Sequence, residues 1–166
     1  MSLLNELRMK KTAVFPGSFD PVTKGHEALI KRALTLFDEI IIGIGINTQK
    51  NYMFPLETRK KWLNEVFARE SRVKIISYTG LTTEFCKKNN ANYILRGLRS
   101  SADFEFERNI AQMNYAMNNE IESVFLVTSP ELSAINSSIV RDIIKNKGNV
   151  QNFIPGQISI NESDFL

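Results

Sequence analysis

The chain has 166 residues, 43% of them hydrophobic, which is enough for the core of one globular domain. Its 21 Lys and Arg residues are scattered among 18 acids rather than massed, and the net charge is only +3. That excludes a nucleic-acid footprint and fits a protein that places a few cations around an anionic small molecule. One cysteine, Cys86, excludes an intrachain disulfide, offers no metal-ligand cluster and points to a reducing cytoplasm. No signal-peptide pattern is read at the N-terminus, and no apolar run approaches the ~18 residues of a membrane span.

In chain order, residues 1–10 are expected to be an extension, 11–160 a single domain and 161–166 a tail. Thr12 to Phe15 reads as a strand that breaks at Pro16-Gly17. The polar loop after it, Ser18 to Gly25, delivers His26 as a helical pattern begins. A helix start presents unpaired backbone N–H groups and the positive end of the dipole, so anions are favoured there. Gly17 and Gly25 permit close approach, Ser18 adds a hydroxyl, and His26 is the sole histidine. A structural βα turn uses the same residue types, but the first βα loop is where open α/β sheets bind ligands.

The helix from Glu27 to Phe37 is expected to bury Leu29, Ala33, Leu36 and Phe37. Glu39 to Ile46 is apolar almost throughout and reads as a central parallel strand; Gly43 and Gly45 lack the third glycine of a dinucleotide fingerprint. The next loop offers Lys50, taken alone a solvated lysine and in company a phosphate ligand. Pro55 opens a helix with Trp62, Leu63, Val66 and Phe67 as its stripe. Val73 to Tyr78 is a third strand, and Glu84 to Lys88 a short helix in which Cys86 is filler.

Tyr93 to Leu95 is a fourth strand running into Arg96-Gly97-Leu98-Arg99, where the glycine is expected to bend the chain so that both arginines aim inward. In the helix from Asp103 to Asn114, Asp103, Glu107 and Asn114 lie near one side, and Phe106, Ile110, Met113 and Met117 share the apolar side. Asp103 is expected to orient an arginine. Glu107 is expected either to accept from a ribose or to help retain hydrated Mg²⁺. Ser123 to Val127 is the fifth strand, and Asn136-Ser137-Ser138 caps a helix with Ile139, Val140, Ile143 and Ile144 as apolar positions, ending near Gly148. Phe153, Ile154 and Pro155 read as packing.

Five βα units imply an α/β, Rossmann-like fold: a five-stranded parallel sheet with helices on both faces and ligand loops gathered at its carboxyl edge. His26, Lys50, Arg96, Arg99 and Ser137/Ser138 all fall on that edge, although more than a hundred residues separate the first from the last.

Pro16 to Pro21 with Thr23-Lys24-Gly25-His26, Arg96 to Arg99 with Ala102 to Glu105, and Ile135 to Ser138 together resemble the phosphopantetheine adenylyltransferase family of the nucleotidyltransferase superfamily. The resemblance spans roughly residues 11 to 156. It implies ATP contacts at Ser18, Phe19, His26, Gly97, Leu98, Arg99, Glu107, Leu132, Ser133, Ala134, Ile135, Asn136, Ser137 and Ser138. It implies 4′-phosphopantetheine contacts at Ser18, Lys50, Thr82 and Arg96, and dephospho-coenzyme A as product. It further implies Mg²⁺ dependence, a homohexamer, inhibition by coenzyme A and a cytoplasmic enzyme. Ser18 stands where the family usually has threonine, and Asn136 where it has the first serine of its last motif.

With phosphate binders and no activated nucleophile, direct in-line transfer is expected, with His26, Lys50, Arg99 and Ser18 as the catalytic set. A sibling nicotinate mononucleotide adenylyltransferase or glycerol-phosphate cytidylyltransferase would share the first loop and last cap but not the Arg96 to Arg99 segment. A nucleotide-sensing module without turnover is the reading from another class.

Overall fold

The structure is a computed structural model that describes residues 10–165. The expected five strands form, as β1 (Thr12–Gly17), β2 (Glu39–Gly45), β3 (Val73–Tyr78), β4 (Tyr93–Leu98) and β5 (Glu122–Val127). Between and after them run α1 (Lys24–Ala33), α2 (Leu56–Val66), α3 (Thr82–Lys88), α4 (Ser101–Met117) and α5 (Ser137–Lys145). All strand pairs are parallel, in the order β3-β2-β1-β4-β5. The order reverses between β1 and β4, the topological switch at which such sheets open a ligand crevice.

The register shows how that crevice opens. β1 and β4 pair only at Ala13↔Tyr93 and Val14↔Ile94. Beyond Val14, β1 stays with β2 as far as Gly17↔Ile44, and β4 stays with β5 as far as Leu98↔Val127. The two strands therefore diverge toward their carboxyl ends.

Alternating side chains fill a layer on each face. Ala13, Phe15, Ile40, Ile42, Ile44 and Leu95 pack with the buried sides of α1, α2 and α5. Val14, Ile41 and Ile94 pack with Phe85, Cys86 and Ala91 of the α3 region. Cys86 is fully buried and its thiol is pushed up to about 12 by burial, so it is filler, as expected. Trp62 is likewise core, edge-to-face on Phe54 with ring centroids 4.8 Å apart.

Four expectations need correction. α1 starts at Lys24 rather than Glu27 and ends at Ala33, so Ile30 takes the core place assigned to Leu36, which is 50% exposed. β4 continues through Leu98, so Gly97 does not bend the chain; a Cβ there would collide with the Leu29 side chain, and the glycine lets α1 pack close to the strand. In α5, Val140 is buried and Ile143 and Ile144 pack on the core, but Ile139 is exposed. The fourth concerns α4, which has no buried residue: Phe106, Ile110, Met113 and Met117 share a face as expected, yet that face is exposed.

Of the expected N-terminal extension, residues 1–9 lie outside the described residues. After α5 the chain returns to the core through Val150, Ile154 and Ile158, and the Phe165 ring sits 5.2 Å from that of Phe54.

Candidate active site

The first loop is held from several directions. Phe19 takes a left-handed backbone conformation (φ 48°) and tucks its ring under the loop, so close that a Cβ on Gly17 would lie 3.0 Å from it. The buried Asp20 carboxylate accepts the backbone N–H groups of Met53 and Phe54 at 2.9 and 3.0 Å, tying this loop to the one after β2. The guanidinium of Arg141, on α5, donates to the Asp20 carbonyl at 2.6 Å. Ser137 Oγ, at the start of α5, donates to the Pro21 carbonyl at 2.8 Å. The starts of α1 and α5, about 110 residues apart in sequence, thus face each other beside one loop.

His26 is the third residue of α1, where a capping box usually holds Glu or Gln. Thr23 N–H donates to His26 Nδ1 at 3.0 Å, and Thr23 Oγ1 lies 3.1 Å from the same nitrogen. The rings of Phe19 and Phe15 stand 5.1 and 6.1 Å away. Burial, with the nearby Arg99 charge, pushes the imidazole down to about 4, so it is neutral at pH 7. With Nδ1 accepting, the proton sits on Nε2, and the ring is a fixed neutral donor.

The two arginines are each clamped by a carboxylate of α4. Arg96 Nε and Nη2 donate to the two oxygens of Glu107 at 2.6 and 2.5 Å, and its Nη1 reaches the Pro16 carbonyl at 3.1 Å. Arg99 donates through its backbone N–H and Nε to one oxygen of Asp103, and through Nη2 to the other, at 3.0–3.2 Å. Burial alone would raise the Asp103 carboxyl, but the hydrogen bonds from Arg99 outweigh it and hold the group below its usual range. Asp103 orients an arginine, as expected. Glu107 orients an arginine as well, each of its oxygens accepting one bond from Arg96, and it also stands on the wall of the larger of the site's two cavities.

Two cavities meet here. The larger, of about 580 Å³, is lined by Ser18, Phe19, His26, Gly97, Arg99 and Ser138, among others, with Ile135, Asn136 and Ser137 also on its wall. The smaller, of about 380 Å³, lies toward β2 and β3 and is lined by Tyr78, Thr82, Ile110 and Asn114. Ser18, Lys50 and Arg96 border both. Thr82 Oγ1 and Tyr78 OH are 2.8 Å apart in the smaller one.

Leu98, Leu132, Ser133 and Ala134 line neither cavity. Leu98 gives its carbonyl to Thr128 N–H at 2.7 Å, and Ser133 Oγ donates to the Pro130 carbonyl within the 3-10 turn Pro130–Leu132. Asn136 spends its side-chain oxygen on Ile139 N–H at 2.9 Å, capping α5. Among the described residues no group of three or more His, Cys, Asp or Glu gathers as metal ligands.

Sequence reasoning missed Arg141, on the larger cavity's wall, and the buried Arg59 of α2. Arg141 was legible in principle, because it lies four residues after Ser137 and so on the same helix face.

The region 14–143 matches the cytidylyltransferase-like family model. The chain is 52% identical over 150 residues to a phosphopantetheine adenylyltransferase of Flavobacterium psychrophilum, covering 90% of this chain and 99% of that one. It is 43% identical over 151 residues to the phosphopantetheine adenylyltransferase of Bacteroides thetaiotaomicron, covering 91% and 99%. Among solved structures, a bifunctional NMN adenylyltransferase/ADP ribose pyrophosphatase from Francisella tularensis superposes with a TM-score of 0.68 at 18% identity. That likeness, over 88% of this chain and 45% of the other, is one of fold.

Proposed function

Because the chain belongs to the phosphopantetheine adenylyltransferase family, within the cytidylyltransferase-like nucleotidyltransferases, we propose that it transfers adenylyl from ATP to 4′-phosphopantetheine, giving dephospho-coenzyme A and pyrophosphate in coenzyme A biosynthesis. The observation that supports this most directly is the pair of adjoining cavities with Ser18, Lys50 and Arg96 on their common wall. Two substrates that react phosphate to phosphate need two pockets and one shared cationic boundary.

In this reading ATP occupies the larger cavity, between the starts of α1 and α5, and the acceptor occupies the smaller. The acceptor's phosphate is already anionic, so it attacks the α-phosphorus without a general base, and pyrophosphate leaves on the opposite side. The chain's task is positioning and charge stabilisation. His26 Nε2–H, held by Thr23, donates to an α-phosphate oxygen; being neutral, it does not lose its proton as charge builds. Lys50 and Ser18 face both reacting phosphates, Arg99 offsets charge on the triphosphate, and Arg96 grips the acceptor's phosphate.

Mg²⁺ enters as a companion of the triphosphate. The described residues do not fit a protein cage for it, since Asp103 and Glu107 are both committed to arginines, and no step here is assigned to the ion. Self-association, expected as a hexamer, is supported by the exposed row Phe106, Ile110, Met113 and Met117 on α4. Coenzyme A, which shares the product's pantetheine arm, is the expected inhibitor at the same site. No helix among the described residues is long and apolar enough to cross a membrane.

The test is a coupled pyrophosphate-release assay with ATP and Mg²⁺, offering 4′-phosphopantetheine, nicotinate mononucleotide or glycerol phosphate in turn. Release with 4′-phosphopantetheine alone is expected. Release with another acceptor would reassign the substrate, and silence with all three would favour a sensor.

A further inference from the structure

Arg59 lies inside α2 with 2% of its surface exposed, a costly place for a cation unless its donors are used. They are spent on the loops around the active site. Arg59 Nη1 donates to the Ser18 carbonyl at 2.7 Å, and Nε to the Phe54 carbonyl at 3.1 Å. Its guanidinium lies 4.2 Å from the centroid of the Tyr52 ring. Tyr52 OH in turn accepts Asn47 N–H at 2.9 Å and reaches the Gly45 carbonyl at 3.3 Å. Asn47 then takes Lys50 N–H on its carbonyl at 3.1 Å and Gln49 N–H on its side-chain oxygen at 2.9 Å. An unbroken series of contacts therefore joins Ser18 on the first loop to Lys50 on the second. Those are the residues common to both cavities, together with Arg96 and the Pro16-Gly17 turn.

We propose that Tyr52 and Arg59 are positioning residues: a stacked strut that fixes the 47–50 loop against the first loop, so that the Lys50 ammonium is held at the boundary where the two phosphates meet. The Asn47-Thr48-Gln49-Lys50 stretch is exposed and belongs to no helix or strand, and a lysine on such a loop would otherwise spread over many positions. Phenol and guanidinium divide the task. The flat guanidinium accepts the ring on its face while its edge holds the Ser18 carbonyl, and the hydroxyl reaches past the ring to the loop's first amide. A small misplacement of a phosphate ligand is expensive in a reaction that depends on positioning.

The kinetic consequence rests on the adenylyl-transfer reading; the structural one does not. Tyr52→Phe keeps the stacked ring and removes only the hydroxyl, so the fold should survive, as a thermal melt will verify. Hydrogen exchange on the ligand-free protein is expected to show the Asn47 amide opening about tenfold faster in Tyr52→Phe, with the strand amides unchanged. In the pyrophosphate assay, Tyr52→Phe is expected to lower kcat about tenfold while the KM for ATP holds. Placed on top of Lys50→Ala, the same change should lower kcat by less than about twofold, because the group it positions is gone. Unchanged exchange at Asn47, or an equal loss with and without Lys50, would overturn the proposal. If the wild-type protein releases no pyrophosphate from ATP and 4′-phosphopantetheine, the functional reading fails, while the exchange result still decides the strut.

Discussion

The first loop and the β4–α4 corner bring polar groups to the same cavity by opposite means. The first loop closes on itself: Phe19 and Asp20 are buried beneath it, and His26 is neutral, desolvated and held by Thr23. The corner is open. Arg99 keeps 38% of its side chain exposed and Asp103 27%, and a charge pair rather than packing keeps the guanidinium in place. Arg96, clamped by Glu107 nearer the crevice, stands between these extremes at 27% exposure. A fixed, half-buried donor at the cavity wall costs nothing to reorganise when charge develops, and so serves the transition state. A solvated cation attracts an anion from a distance, and so serves binding.

The sharpest way to break that contrast is His26→Ala. Turnover is expected to fall about a hundredfold, roughly 3 kcal/mol of transition-state stabilisation, with ATP affinity little changed by calorimetry. Equal turnover in both proteins would remove His26 from the mechanism.

The same burial has a cost that acid should expose. In the unfolded chain the imidazole titrates near 6.5, and in the folded one near 4, so between those values the unfolded state binds a proton that the folded state refuses. Stability attributable to His26 is therefore full above about pH 6.5 and falls by up to about 3 kcal/mol as the pH drops toward 4. Urea titrations of wild type and His26→Asn across that range should diverge. Parallel curves would show that the ring is not desolvated. For the same reason His26 should add no limb near pH 6.5 to the kcat profile, so wild type and His26→Asn should share whatever limb the acceptor's phosphate gives there.

On the open side, Arg96→Ala should weaken 4′-phosphopantetheine binding about tenfold while ATP binding stays nearly intact. Calorimetry showing the reverse would exchange the two cavities' occupants. The smallest effect is expected at Asn136→Ala, which removes the cap of α5 for about 1 kcal/mol of stability while turnover stays within a few-fold. Asn136→Ser should restore the stability, whereas a large loss of turnover in Asn136→Ala would give that side chain a substrate contact.

The two regions also differ in how far the sequence revealed them. Strand count, the parallel sense of the sheet and the clustering of His26, Lys50, Arg96 and Arg99 were legible, because apolar runs and Pro/Gly breaks recur at βα spacing, whereas the strand order was not. The tautomer of His26 was not, since it depends on Thr23 folding back onto the ring. Gly97 was misread for a physical reason: a glycine in a polar segment looks like a bend, and only the approach of Leu29 shows it to be a packing position. Glu107 and Asn136, ATP contacts that the resemblance implied, also carry structural tasks that residue type does not reveal: Glu107 clamps Arg96 and Asn136 caps α5. Arg59 escaped notice because helix periodicity assigns a buried arginine to no face at all.

The central claim is that two phosphates react directly across one boundary, with no covalent stop on the chain. The most direct measurement uses ATP carrying a sulfur-chiral α-phosphorus, with the configuration of the dephospho-coenzyme A product determined by NMR. One in-line displacement predicts inversion at phosphorus; retention would mean two displacements through an adenylylated side chain and would contradict the account.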